Sequence, residues 1–182
     1  MVKSVNPNVG IKGMDVVLAN LNKEIMKIEA RSGVGLIESA ILIRQDMDKI
    51  SPKIPIDYGN LRASWFTVTS HGFGAGSQGG TGMPFSGPKA GELASERAQA
   101  ISEGRGLAKT ATKGLAVLMG FSANYALFVH ENVTADFTSP RKRKGKIITR
   151  RAGAGAKFFE AALKRNKEKI LQIIGNNARI KS

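Results

Sequence analysis

The residues of this chain that could do chemistry are few. His130 stands beside Glu131, and a histidine next to a carboxylate is a starting point for a metal site or an acid/base pair. On an extended segment the two side chains would point to opposite faces, which is poor geometry for one metal. The other histidine, His71, falls in a glycine run. A zinc shell takes three or four ligands, and the candidates are too few. His130 and Glu131 are therefore expected at a strand end, paired with a neighbouring group or subunit. Cysteine is missing, which removes disulfides, thiolate nucleophiles and cysteine-based zinc sites. Gly72-Phe73-Gly74-Ala75-Gly76 has the glycines of a phosphate loop but neither the Lys-Ser/Thr nor the strand-turn-helix frame. Ser122 lacks a nucleophile elbow. The expectation is a protein that is not an enzyme and uses no cofactor and no metal.

The elements that would position these residues can be read from periodicity. Residues 1–12 read as a flexible leader. Met14, Val17, Leu18, Leu21, Ile25 and Ile28 then fall on one helical stripe. The pattern weakens at Ser32-Gly33-Val34-Gly35 and resumes with Leu36, Ile37, Ala40, Ile41, Arg44 and Met47. One long helix is expected, because no proline or cap cluster intervenes. Ser51-Pro52 and Pro55 stop it. Asp57-Tyr58-Gly59-Asn60 reads as a turn. Leu61 to Ser70 reads as a strand, with Trp65, the single tryptophan, as a core anchor.

Residues 71–113 read as one long excursion from a sheet. Its first half, to Gly91, is rich in Gly, Ser and Pro, too poor in apolar residues to fold alone. Its second half holds a short helix over Glu92–Glu103, ended by Gly104 and Gly106. Leu115 to Phe121 reads as a strand, and Tyr125 to His130 as a strand or a short helical turn. Residues 132–155 form a second, basic insertion with a short strand at Ile147-Ile148-Thr149. Ala156 to Ile174 is an amphipathic helix, with Phe158, Phe159, Ala162, Leu163, Ile170, Ile173 and Ile174 on one side and Gly175-Asn176-Asn177 as its stop. The fold class is α+β. A single domain over 1–182 has a long N-terminal helix and a C-terminal helix packed on one face of a small antiparallel sheet, with insertions at 71–113 and 132–155. The other sheet face, or its edge, would need a partner or a charged surface.

Charge is distributed unevenly. The formal net charge is +14, and from Thr138 onward fourteen lysines and arginines stand against two glutamates. The densest block is Arg141, Lys142, Arg143, Lys144 and Lys146, followed by Arg150 and Arg151. Such like charges stay open unless an anion is near, so DNA phosphates or an acidic protein surface are the expected partners. No aromatic residue interleaves the block, which argues against single-strand stacking. No apolar run approaches the roughly 18 residues of a membrane span, and a soluble chain without a membrane partner is expected.

Two runs carry a likeness that spacing alone does not give. Pro55-Ile56-Asp57-Tyr58-Gly59-Asn60-Leu61-Arg62-Ala63-Ser64 is similar to P-x-D-T-G-x-L-R-x-S, and Tyr125-Ala126-Leu127-Phe128-Val129-His130-Glu131 is similar to Y-A-x-x-V-H-E. With the closing Phe158-Phe159-Glu160-Ala161-Ala162-Leu163, in this order, the chain resembles the HK97 gp10-like family of tailed-bacteriophage neck and tail-completion proteins. The likeness spans most of 11–70 and 115–175. It departs where Tyr58 replaces the family's threonine, and in the length of the glycine run. The resemblance implies a structural virion protein, assembled in the host cytoplasm and lodged in the neck or tail. It implies a homo-oligomeric ring that joins the head connector and portal-side proteins to the tail terminator or tail tube, with DNA in the channel. Asp57, Gly59, Leu61, Arg62, Ser64, Tyr125, Ala126, His130 and Glu131 are the motif positions it marks. The alternative reading is a nucleic-acid-binding protein without sequence specificity that uses the basic C-terminal region.

Overall fold

The computed structural model of the protein describes residues 13–70, 79–80, 82–111, 114–143, 145–148 and 150–179. The leader expected at 1–12, most of the glycine run with His71, and Lys144 and Thr149 of the basic segment lie outside the described residues. Helix α1 (Met14–Lys49) is followed by a turn of helix α2 (Asn60–Ala63), strand β1 (Trp65–Thr69), a two-residue strand β2 (Gly79–Gly80) and helix α3 (Ala90–Ala111). Strand β3 (Val117–Phe121), helix α4 (Ala126–Glu131), a hairpin of β4 (Arg141–Arg143) and β5 (Lys146–Ile148), and helix α5 (Phe158–Ala178) complete the order. This is the expected α+β architecture, with helices packed on a small antiparallel sheet.

Helix α1 is unbroken across Gly33 and Gly35, both buried. A Cβ on Gly35 would lie 3.0 Å from the Ile174 Cα and 3.2 Å from the Asn177 Cβ. The glycine thus lets α5 approach closely, and packing offsets its helix cost of about 1 kcal/mol. Further along, Asp46 of α1 meets Arg165 and Asn166 of α5. The two helices therefore run antiparallel, and α5 passes through Gly175 to Ala178 instead of stopping there. Asn177 holds this end by donating to Glu38 Oε2 at 2.8 Å.

Strand β1 lies between β2 and β3, all antiparallel, with Trp65 opposite Phe121 and Thr69 opposite Val117. Alternation sends Trp65 to the α1–α5 side, where edge-on rings fill the core: Trp65 to Phe121 at 5.2 Å, Trp65 to Phe159 at 5.8 Å and Phe121 to Phe158 at 5.5 Å. Ile43, Met47, Ile54 and Leu61 complete this core.

Phe66 and Val68 point to the opposite side, and there the structure corrects the sequence reading. Helix α3 is not a short helix ended by Gly104 and Gly106; it runs through both. A Cβ on Gly104 would lie 3.0 Å from Val68 Cγ2 and 3.1 Å from Leu118 Cδ2. The glycine is the contact point of α3 with the sheet. The second sheet face is thus covered from within the chain, β1 is buried on both faces, and α3, inside the insertion at 71–113, packs on the sheet with Leu93, Gly104 and Ala108 buried.

One boundary also moves. Strand β1 begins at Trp65, not Leu61, because Gly59, at φ +81°, opens a helical turn. In that turn Ala63 N–H donates to the Gly59 carbonyl at 2.9 Å, and Ser64 N–H donates to Asn60 at 2.9 Å. Of the two readings left open for Tyr125 to His130, the helical one holds, as α4 over Ala126–Glu131 with Tyr125 at its N-cap.

Candidate assembly cleft

The two motif runs are distant in sequence and adjacent in space. Asp57, Tyr58, Gly59 and Leu61 of the first and Tyr125, Phe128 and Val129 of the second line one cleft of about 780 Å³. The start of α3 (Lys89, Glu92, Leu93) and the basic insertion (Asp136, Arg141, Arg150) complete its wall. The left-handed Gly59 is what turns the chain here; a side chain would have open space but a strained backbone.

Neighbouring polar groups fix the turn. The Asn60 side chain donates to the Ser86 carbonyl at 2.9 Å and accepts from the Ser86 N–H at 2.8 Å, tying the motif to the segment before α3. Arg97 reaches back from α3 to the Ala63 carbonyl at 3.2 Å and lies over the Phe85 ring at 4.8 Å. Asn124 donates to Glu96 at 3.0 Å. Burial, then the charges of Asp57 and Glu96, push the Tyr125 hydroxyl above the ordinary tyrosine range. Tyr125 and Asp57, one residue from each motif, thus line the same cleft.

The motif residues that do not line the cleft fasten it to the helices. Arg62 and Ser64 are not the solvent-facing strand residues that an ordinary turn before a strand would give. Arg62 donates from Nε and Nη2 to Asp48 Oδ2 at 3.1 and 2.9 Å. Asp48 also holds Arg44 at 2.7 Å and Arg151 at 3.1 Å. Burial opposes charge on Asp48, but hydrogen bonds from Arg62 and Arg151 and the charge of Arg44 outweigh it, and the carboxyl is held below its usual range. Burial also depresses Arg44, against the pull of Asp48. Ser64 is fully buried and its hydroxyl donates to the Leu61 carbonyl at 2.8 Å. Ala126 is buried beneath the cleft as part of the core.

His130 and Glu131 end α4, and they meet, where an extended segment would have parted them. His130 Nδ1 lies 2.7 Å from Glu131 Oε1, and Glu160 N–H donates to His130 Nε2 at 3.4 Å. The ring packs edge-on to Phe158 at 5.0 Å. Lys157, in the left-handed region at φ 55°, donates its N–H to the His130 carbonyl at 2.7 Å and its ammonium to Glu131. Hydrogen bonds from Lys157, then from His130, hold the Glu131 carboxyl below its usual range. The pair thus anchors the start of α5. Among the described residues no three His, Cys, Asp or Glu side chains form a metal-sized group.

The basic block is divided by the fold. Arg151 is drawn into the Asp48 cluster, and Arg150 donates to the Asp136 carbonyl. Ser139 and Thr138 donate to the Asp136 carboxylate in turn and hold it below its usual range. Arg141 and Lys142 are exposed on the hairpin. Arg143 and Lys146 pair through their backbone across β4 and β5.

Sequence reasoning missed Asp46, Asp48, Asn60, Arg97, Lys157 and Asn166. A partial signal existed: Asp46 and Asp48 sit beside the buried Met47 near a helix end, where acids are unfavourable unless paired. Two aromatic side chains that line the cleft stay exposed, Phe128 at 70% and Tyr58 at 52%. Chemically, the cleft offers an apolar floor, aromatic walls and a rim of both charge signs. It suits a protein segment better than a polyanion. No described helix is long and apolar enough to cross a membrane. The chain matches no protein-family model, and neither curated proteins nor solved structures show a significant similarity to it.

Proposed function

We propose that this chain is a structural virion protein of a tailed bacteriophage, forming a homo-oligomeric ring at the head–tail junction that joins the tail to the head connector. The observation that carries this reading is the convergence of the two motif runs on one cleft. The residues behind the resemblance either line that cleft or bind its walls to α1 and α5. The mechanism is binding, not catalysis. The helix–sheet core presents the cleft, its aromatic walls take a segment of an adjoining subunit, and the β4–β5 hairpin offers Arg141 and Lys142 to an acidic neighbour. Contacts that are weak singly become firm when repeated around a ring.

Deleting the gene tests the role. The expected result is DNA-filled heads and separate tails that fail to join, with joining restored by adding the purified full-length protein to the lysate. Normal joined particles without the protein would contradict it. The nucleic-acid reading has less support, because Arg150 and Arg151 are engaged within the chain. It predicts tight DNA binding at physiological salt that weakens when Arg141 and Lys142 are changed to Glu.

A further inference from the structure

Helix α1 outruns its partner. Its Gly35 meets α5 at Ile174 and Asn177, and α5 stops at Ala178. Residues 14–32 therefore project past α5, about 28 Å of helix at 1.5 Å per residue, and every residue from 13 to 27 is exposed. Residues 1–12, outside the described residues, leave from the tip of this projection. The cleft of Tyr58 and Tyr125 stands at the opposite end of α1: Arg62, next to Leu61 of the lining, contacts Arg44 and Asp48. We infer that residues 5–11 of one copy lie in the cleft of the next.

Pattern and charge select this segment. Val5, Pro7, Val9 and Ile11 alternate with Asn6, Asn8 and Gly10. In an extended chain they form one apolar face, with polar groups on the other. Pro7 fixes its own φ and biases Asn6 to extended backbone. The cleft is the counterpart. Tyr58, Tyr125, Phe128 and Phe137 give it aromatic walls, and three acids, Asp57, Glu92 and Asp136, stand against three bases, Lys89, Arg141 and Arg150. A lining without surplus charge favours an uncharged guest over an acidic or basic one, and residues 4–11 carry no charged side chain. The other segments outside the described residues do not qualify: 71–78 is pinned between β1 and β2, and 180–182 is three residues long.

Reach decides whose cleft is filled. Stretched to about 3.6 Å per residue, Val5 stays within about 29 Å of Gly13. Arg44, beside the cleft, lies about 45 Å along α1 from Met14. Residues 5–11 thus fall short of their own cleft and can fill only that of another copy. The tip of α1 and the cleft are different surfaces, so the contact runs head to tail and repeats around a closed ring. This deepens the ring reading proposed above and rests on it.

The chain has no cysteine, so introduced thiols report on this contact without background. Asn8→Cys keeps the apolar face of the segment. Lys89→Cys lies in the cleft lining, at a side chain 73% exposed, and keeps the aromatic walls. Mixed at full length under mild oxidant, the two should link about tenfold faster than Asn8→Cys with Leu171→Cys, an exposed position of α5 outside the cleft. A synthetic peptide of residues 1–12 should suppress the excess, and the same peptide with Val5, Val9 and Ile11 changed to Asp should not. A chain carrying both Asn8→Cys and Lys89→Cys should give linked dimers, trimers and higher species, and no internally closed monomer. Linking no faster than the control, an excess that the peptide leaves unchanged, or an internally closed monomer would each overturn the inference. Such a failure leaves the head–tail role standing, because that role is tested in particles and the cleft can take a segment of another protein.

Discussion

Substituting Gly35 by alanine sets two effects of known size against each other. In an unencumbered helix interior the change stabilises by about 1 kcal/mol, because alanine loses less backbone entropy. At Gly35 the new methyl would stand 3.0 Å from the Ile174 Cα and 3.3 Å from the Ile173 carbonyl. Both are backbone atoms of a packed helix and cannot rotate away. The helices must part by some tenths of an ångström, and overpacking of this kind costs about 1–3 kcal/mol. The expected net effect is destabilisation of about 1 kcal/mol. Gly106→Ala is the internal reference, because a Cβ there meets nothing within 4 Å. It should stabilise by about 1 kcal/mol. Urea denaturation followed by circular dichroism measures both, with the m-value checking that the transition is unchanged. A Gly35→Ala protein as stable as Gly106→Ala would refute the close crossing of α1 and α5.

Other outcomes follow from the same geometry. His130→Ala removes the acceptor for the Glu160 N–H and the ring against Phe158, and should cost about 1 kcal/mol in the same denaturation assay. Acid should weaken the fold. The Asp48 carboxyl is held lower when folded than its unfolded value, so at low pH the unfolded chain binds more protons. The stability from Asp48 is then complete above the unfolded value of about 3.9 and is lost as pH falls through the folded value. The urea midpoint should drop as pH falls below about 5, and Asp48→Asn should remove part of that slope while lowering stability at neutral pH. Arg62→Ala leaves Asp48 with Arg44 and Arg151 and should cost about 1–2 kcal/mol.

The sequence disclosed whatever depended on local pattern. The apolar stripes of α1 and α5, the turn at Gly59, a strand within Leu115 to Phe121 and Trp65 as an anchor all follow from period and turn chemistry. The errors sit where tertiary contact overrides a local rule. Gly104 reads as a helix stop, yet it is the residue that lets α3 lie against Val68 and Leu118. Gly175 reads likewise, and Asn177 carries α5 past it by bonding Glu38. Covering both sheet faces from one chain was not visible, because beyond Leu93 the fully buried residues of α3 are only Gly104 and Ala108. At the candidate site the motif positions were legible, but their division of labour was not. Arg62 and Arg151 meet at Asp48 from segments almost ninety residues apart, and no local spacing encodes that meeting. The apolar start of α1 was legible as a helix but not as a projecting one, since its exposure depends on where α5 ends.

Electron cryo-microscopy of the neck of virions carrying this chain tests the central claim most directly. The account predicts a ring of copies between connector and tail, with the α1–α5 pair and the covered sheet recognisable in each and protein density seated in the cleft formed by Tyr58, Tyr125 and Phe128. Particles whose head–tail junction is built entirely of other chains, with this one missing, would contradict it.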